Sequence, residues 1–264
     1  MSIEANENIV IYTRKNCSQL FLIFTGMGGQ MLLMSPFDFL RDSGLATRNL
    51  MIFRDPQQLG YIRGISDDIP SLDSLGDLLE RFLANHPHIE EVYCIGVSAG
   101  AIAAMLLGHR LRARTVWSFS ARSPSELWKQ RYGSQSGREP TFKQKVKRRL
   151  RVANEKCRRL LNIEAKERLN ESLIDVDSIR QAARDLMQPN GCSEYRLFYA
   201  TSNPTDTFIH QQFVDCPGVV SFPVVPPNSY TDRYKPGWDH MILPILQSEG
   251  KLGELFPAFA DASS

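Results

Sequence analysis

The sequence predicts an α/β protein, with a mostly parallel central sheet covered by helices on both faces and a helical cap inserted late in the chain. Three observations lead there. Short apolar runs of strand length occur at Ile9 to Thr13, Leu20 to Thr25, Leu50 to Phe53, Val92 to Val97, Thr115 to Ala121, Tyr195 to Thr201 and Val219 to Val225. Helix-forming stretches separate several of them, and parallel strands need such crossovers to return the chain to the same sheet edge. Between the runs at Thr115 and Tyr195 lie about 70 residues without a good strand, too many for one crossover, so about 124–190 reads as a cap.

Taken in order, the first two runs flank a polar turn, Lys15-Asn16-Cys17-Ser18, and the second ends in a glycine cluster. Leu50 to Phe53 meets Arg54-Asp55-Pro56, a strand running into a loop. Leu72, Leu75, Leu79 and Phe82 recur at helical spacing. Val92 to Val97 is a compact strand, and the Ala-, Leu- and Met-rich stretch from Gly100 to Gly108 is a good helix former. An apolar helical segment at Met241 to Leu246 follows the last strand, and Ala258 to Ser264 reads as a frayed tail. The whole chain, 1–264, is expected to form one domain.

With 42% apolar residues the chain can bury a substantial core. A net charge of +2, and aromatics that are not interleaved with basic residues, argue against a nucleic-acid binder. The polar, acidic start from Met1 to Asn8 lacks the basic and apolar signature of a secretory signal, and no apolar stretch approaches bilayer length. A cytoplasmic location is expected. Cys17, Cys94, Cys157, Cys192 and Cys216 are scattered without C-x-x-C spacing, so neither a disulfide framework nor a metal site is expected.

The chemistry-bearing motif is Gly96-Val97-Ser98-Ala99-Gly100. Alone, a G-x-S-x-G match is weak. Here it closes an apolar strand and leads directly into a helical segment, a setting in which glycines permit a strained turn that exposes the serine. That arrangement resembles the nucleophile elbow of the α/β-hydrolase superfamily, which makes Ser98 the candidate nucleophile.

A serine hydroxyl needs a base, and the chain offers five histidines. His86 and His88 precede the strand carrying Ser98, at the wrong edge of the sheet; His109 closes the following helix, and His210 falls in a helical stretch. His240, in Gly237-Trp238-Asp239-His240, follows the final strand and a Pro- and Tyr-rich loop. The resemblance implies the catalytic histidine there. It also implies a carboxylate from a loop after a strand lying between serine and histidine, and Asp206, in Ser202-Asn203-Pro204-Thr205-Asp206, fits best against Asp232 and Asp239. An oxyanion hole is implied at the N–H groups of Ala99 and of Met27, the latter in Phe24-Thr25-Gly26-Met27-Gly28-Gly29. Thr25 stands where this type of loop usually has histidine.

From Lys143 to Arg159 there are nine basic residues and one acid, Glu155, while Val146, Leu150, Ala153, Cys157 and Leu160 recur on one helical face. Lys147, Arg148, Arg149 and Arg151 are therefore candidates for holding an anionic group or an acidic carrier protein; a membrane surface and a merely solvated face are the alternatives. Arg54-Asp55 either faces the cleft or forms a buried ion pair, and Met27, Met31 and Met34 either line an acyl pocket or fill the core.

The expectation is a serine hydrolase that cleaves an acyl ester or thioester through Ser98, His240 and Asp206, without cofactor or metal. Two alternatives stay open: acyl transfer by the same groups, and a non-catalytic binding protein on this fold.

Overall fold

The computed structural model describes residues 2–5, 7–14, 16–122, 181, 184–186, 191–201, 203–225 and 242–256. Eight strands form one sheet: β1 (Ser2–Ala5), β2 (Ile9–Thr13), β3 (Gln19–Phe24), β4 (Asn49–Phe53), β5 (Glu91–Val97), β6 (Thr115–Phe119), β7 (Glu194–Ala200) and β8 (Val219–Val224). Their spatial order is β1-β2-β4-β3-β5-β6-β7-β8. All pairings from β4 through β8 are parallel, as the alternating pattern predicts. The departure lies at one edge, where β1 and β2 are antiparallel. β1 arises inside the segment read as a polar start, and it joins the sheet through backbone pairing to β2, which needs no apolar run.

Side chains of β3 alternate between two core layers, Leu20, Leu22 and Phe24 into one and Phe21 and Ile23 into the other. Helices cover both layers. On the first face lie α2 (Leu72–Asn85), α3 (Ala99–Arg110) and α4 (Pro204–Phe213), contributing Leu75, Leu79, Ala103, Leu107, Ile209 and Phe213. On the second lie α1 (Pro36–Asp42) and α5 (Ile242–Ser248), contributing Phe39, Leu40, Leu243 and Ile245. Each such buried Leu or Phe is worth roughly 1.5–3 kcal/mol relative to exposure.

Local chemistry sets the boundaries. Ser71 and Ser74 form a reciprocal capping box that starts α2, satisfying N–H groups that no helical turn can reach. β6 stops at Phe119, two residues short of the apolar run, because Ser120 turns into the left-handed region at φ 46°. Among the described residues no helix is long and apolar enough to cross a membrane. The expected cap, apart from 181 and 184–186, and the residues 226–241 lie almost wholly outside the described residues.

Candidate active site

The C-terminal ends of β3, β4, β5, β6 and β7 share one sheet edge, where open α/β sheets place their ligands. Ser98 sits there between β5 and α3, with φ 52° and ψ −110°. These angles lie outside every region an L-residue occupies comfortably, so the turn stores strain of about 1–3 kcal/mol. Backbone bonds hold it: Ser98 N–H donates to the Phe119 carbonyl at 2.8 Å, and Arg122 N–H donates to the Ser98 carbonyl at 3.1 Å.

The loop after β3 packs against this turn. A Cβ on Gly26 would lie 3.3 Å from Ser98 Cβ, and one on Gly100 would lie 2.3 Å from the Phe24 carbonyl oxygen. Glycine at position 100 is what lets the two backbones meet, and at position 26 the fit is tight. Met27 opens a 3₁₀ turn, Met27–Gly29, and Ala99 opens α3. Both N–H groups are thus at first-turn positions that helical bonding leaves to other acceptors. Ser98 is the N-cap of α3 and makes no side-chain cap bond, so its hydroxyl is not spent on the helix.

Thr25 takes over the support of this loop. Its buried hydroxyl donates to the Phe53 carbonyl at 3.0 Å, and Tyr61 Oη lies 2.7 Å from the same oxygen and 3.1 Å from the Thr25 carbonyl oxygen. Burial pushes the Tyr61 phenol well above its ordinary range, which keeps it a neutral donor. Asp55 is buried as well, but not in an ion pair with Arg54. Its Oδ1 accepts from the N–H groups of Gln57 and Gln58 and its Oδ2 from those of Leu59 and Tyr61. Arg54 is exposed and its side chain runs along Gly29. Met31 and Met34 are buried in the second core layer beside Phe39.

Asp206 is 2% exposed at the same sheet edge. It lies in the first turn of α4 rather than in a loop, because Pro204 starts the helix two residues earlier. Its Oδ2 accepts from Ser120 Oγ at 2.8 Å and from Ala200 N–H at 3.0 Å, and its Oδ1 accepts from Asn203 Nδ2 at 3.1 Å. The buried Arg122 guanidinium stands 3.9 Å from Oδ1, placing an opposite charge beside a carboxylate removed from water. Sequence reading passed over Ser120, Arg122 and Asn203. The available signal was position alone: Ser120 fell inside the run Thr115 to Ala121, and Arg122 and Asn203 just beyond the runs that became β6 and β7.

Four histidines are engaged elsewhere. His86 stacks on Phe82 with ring centroids 4.0 Å apart and places Nδ1 2.8 Å from the Phe82 carbonyl. His88 meets the His86 ring edge-on. His109 Nδ1 lies 2.8 Å from Tyr195 Oη, and His210 Nε2 lies 2.6 Å from Ser221 Oγ while its ring stacks on Tyr199. Burial lowers the pKa of both His109 and His210. His240, Asp232, Asp239 and the basic residues Lys147, Arg148, Arg149 and Arg151 lie outside the described residues.

A mostly parallel eight-stranded sheet with an antiparallel β2, and a strained serine between its β5 and the next helix, settles the architecture. The fold is that of the α/β-hydrolases. No protein-family model and no curated protein matches the sequence. Solved structures similar to this chain include an esterase from Pyrococcus furiosus, 13% identical with a TM-score of 0.49, covering 96% of this chain and 89% of the esterase. A thioesterase domain from the curacin biosynthetic pathway is 13% identical with a TM-score of 0.47, covering 94% of this chain and 98% of that domain. Est1E from Butyrivibrio proteoclasticus is 12% identical with a TM-score of 0.45, covering 97% of both chains.

Proposed function

We propose that this chain is a serine hydrolase acting on an acyl ester or thioester. The observation that carries the reading is the backbone of Ser98: a strained, non-glycine residue at the exit of a central strand, braced on both peptide groups by the last residue of β6 and the segment after it. Folds do not select chemistry, but strain held in place at a sheet's ligand-binding edge is characteristic of a functional residue.

In this proposal Ser98 Oγ attacks the acyl carbon as His240 takes its proton. Charge moving onto the carbonyl oxygen is met by the Met27 and Ala99 N–H groups. The imidazolium, steadied by Asp206, then returns the proton to the leaving oxygen or sulfur, the bond to the acyl carbon breaks, and an acyl-serine remains. Water attacks that ester with His240 again as base, releasing the acid and restoring Ser98. The elimination of the other histidines supports His240, since each has a partner away from Ser98. Within this reading the basic stretch around Lys147, Arg148, Arg149 and Arg151 favours an acyl group presented on coenzyme A or on an acidic carrier protein.

The test is labelling with a fluorophosphonate. The native chain takes one label and Ser98→Ala takes none; an unlabelled native chain, or an equally labelled variant, refutes the proposal. Acyl-pantetheine thioesters compared with simple oxygen esters then decide the leaving group. Charge reversal at Arg148, Arg149 and Arg151 that leaves carrier-bound turnover unchanged removes the docking role.

A further inference from the structure

Ser98 and Asp206 stand on separate elements 108 positions apart, yet one short segment touches both. Phe119 accepts the Ser98 N–H at 2.8 Å, Arg122 donates its N–H to the Ser98 carbonyl at 3.1 Å, and between them Ser120 gives its hydroxyl proton to Asp206 Oδ2 at 2.8 Å. We propose that Ser120 is a positioning residue, the pin of a strap formed by residues 119–122 that sets the Asp206 carboxylate in register with Ser98. This rests on the hydrolase reading above and names how its carboxylate is held.

The backbone of the strap is itself constrained. Ser120 is fully buried and adopts φ 46°, a left-handed conformation that a non-glycine residue keeps only when its surroundings impose it. Its own N–H donates to the Phe198 carbonyl of β7 at 2.8 Å, so the turn is tied to the strand that leads to Asp206. A serine here therefore does what glycine, the easier residue for this backbone, cannot: it supplies a hydroxyl donor. Two further contacts to the carboxylate differ in kind. Ala200 N–H, at the end of β7, and Asn203, just ahead of α4, fix the carboxylate relative to the strand and helix of its own stretch of chain. Among the described residues, the Ser120 hydroxyl bond refers it to the segment that also holds Ser98, and the buried Arg122 guanidinium at 3.9 Å adds attraction from the same strap.

The experiment measures fluorophosphonate labelling and p-nitrophenyl butyrate hydrolysis by the full chain, with melting temperature as the check on folding. Ser120→Ala and Ser120→Gly each lower kcat and the labelling rate by about 10- to 100-fold, the worth of one hydrogen bond to a charged group, with KM nearly unchanged. Glycine relaxes the backbone, so a loss of rate in that variant is assigned to the missing hydroxyl and not to misfolding. In an Asp206→Asn background, Ser120→Ala changes the residual labelling rate less than threefold, because the residue acts through the carboxylate. Native rates in the folded Ser120→Gly variant, or an undiminished Ser120 effect in the Asp206→Asn chain, overturn the pin while native labelling at Ser98 keeps the hydrolase reading. A native chain that takes no label overturns both.

Discussion

Tyr61 places its buried hydroxyl 2.7 Å from the carbonyl oxygen of Phe53, and through it ties the end of β4 to the loop that follows β3. The same hydroxyl reaches the Thr25 carbonyl at 3.1 Å, so Tyr61→Phe strands a buried acceptor just ahead of Gly26 and Met27. The expected cost is about 1–3 kcal/mol of stability, read as a lower urea midpoint at constant slope. Loosening this loop, proposed above to carry an oxyanion donor at Met27, also slows fluorophosphonate labelling. Labelling at the native rate in a destabilised variant assigns Tyr61 to the core alone.

Ser98 offers a sharper energetic test. At φ 52° and ψ −110° its mirror-image angles fall in ordinary extended space, so glycine adopts this backbone without strain. Ser98→Ala keeps the strain, whereas Ser98→Gly releases about 1–3 kcal/mol against an entropic loss of roughly 0.5–1 kcal/mol. Ser98→Gly should therefore melt above Ser98→Ala, although neither takes label. The reverse order shows that the turn is unstrained.

Much of this was legible in the sequence, for identifiable reasons. Apolar runs such as Val92 to Val97 announce buried parallel strands because both of their faces need cover. The strand–turn–helix at Ser98 was legible because an apolar run and glycine spacing converge there. The edge strand β1 was not, since its pairing to β2 is a matter of backbone register. α1 was overlooked despite a usable signal: Ser35 accepts from Asp38 N–H as N-cap, and Pro36 occupies the first helical position. Ser120 is of another kind. Neither spacing nor propensity relates it to Asp206, 86 positions away, and only the fold brings the pair together.

The contact between the elbow and the β3 loop predicts intolerance at Gly100. A methyl group there would sit 2.3 Å from the Phe24 carbonyl oxygen and 2.8 Å from Phe24 Cβ. Neither is a flexible side-chain end, so backbone must move. Gly100→Ala should lose about 1–3 kcal/mol through overpacking, measured by urea denaturation, and should lose labelling as well because the displaced loop carries the Met27 N–H. A variant of native stability and native labelling shows that the elbow and the loop are not in contact.

His109 and His210 predict how the fold responds to acid. Burial is the leading cause that lowers both below the ordinary imidazole range, with Asp185 opposing it at His109. A depressed folded value means that the unfolded chain takes up protons first as pH falls. Above the unfolded value both states are neutral and nothing is lost; below it stability declines until the folded values are passed. Carboxylates add their own acid loss, so the diagnostic quantity is the difference between chains. Urea midpoints measured from pH 7.5 down to pH 5 should fall less steeply in the His109→Gln, His210→Gln double variant than in the native protein. Parallel curves would mean that the two imidazoles titrate alike folded and unfolded, and that their bonds to Tyr195 and Ser221 survive protonation.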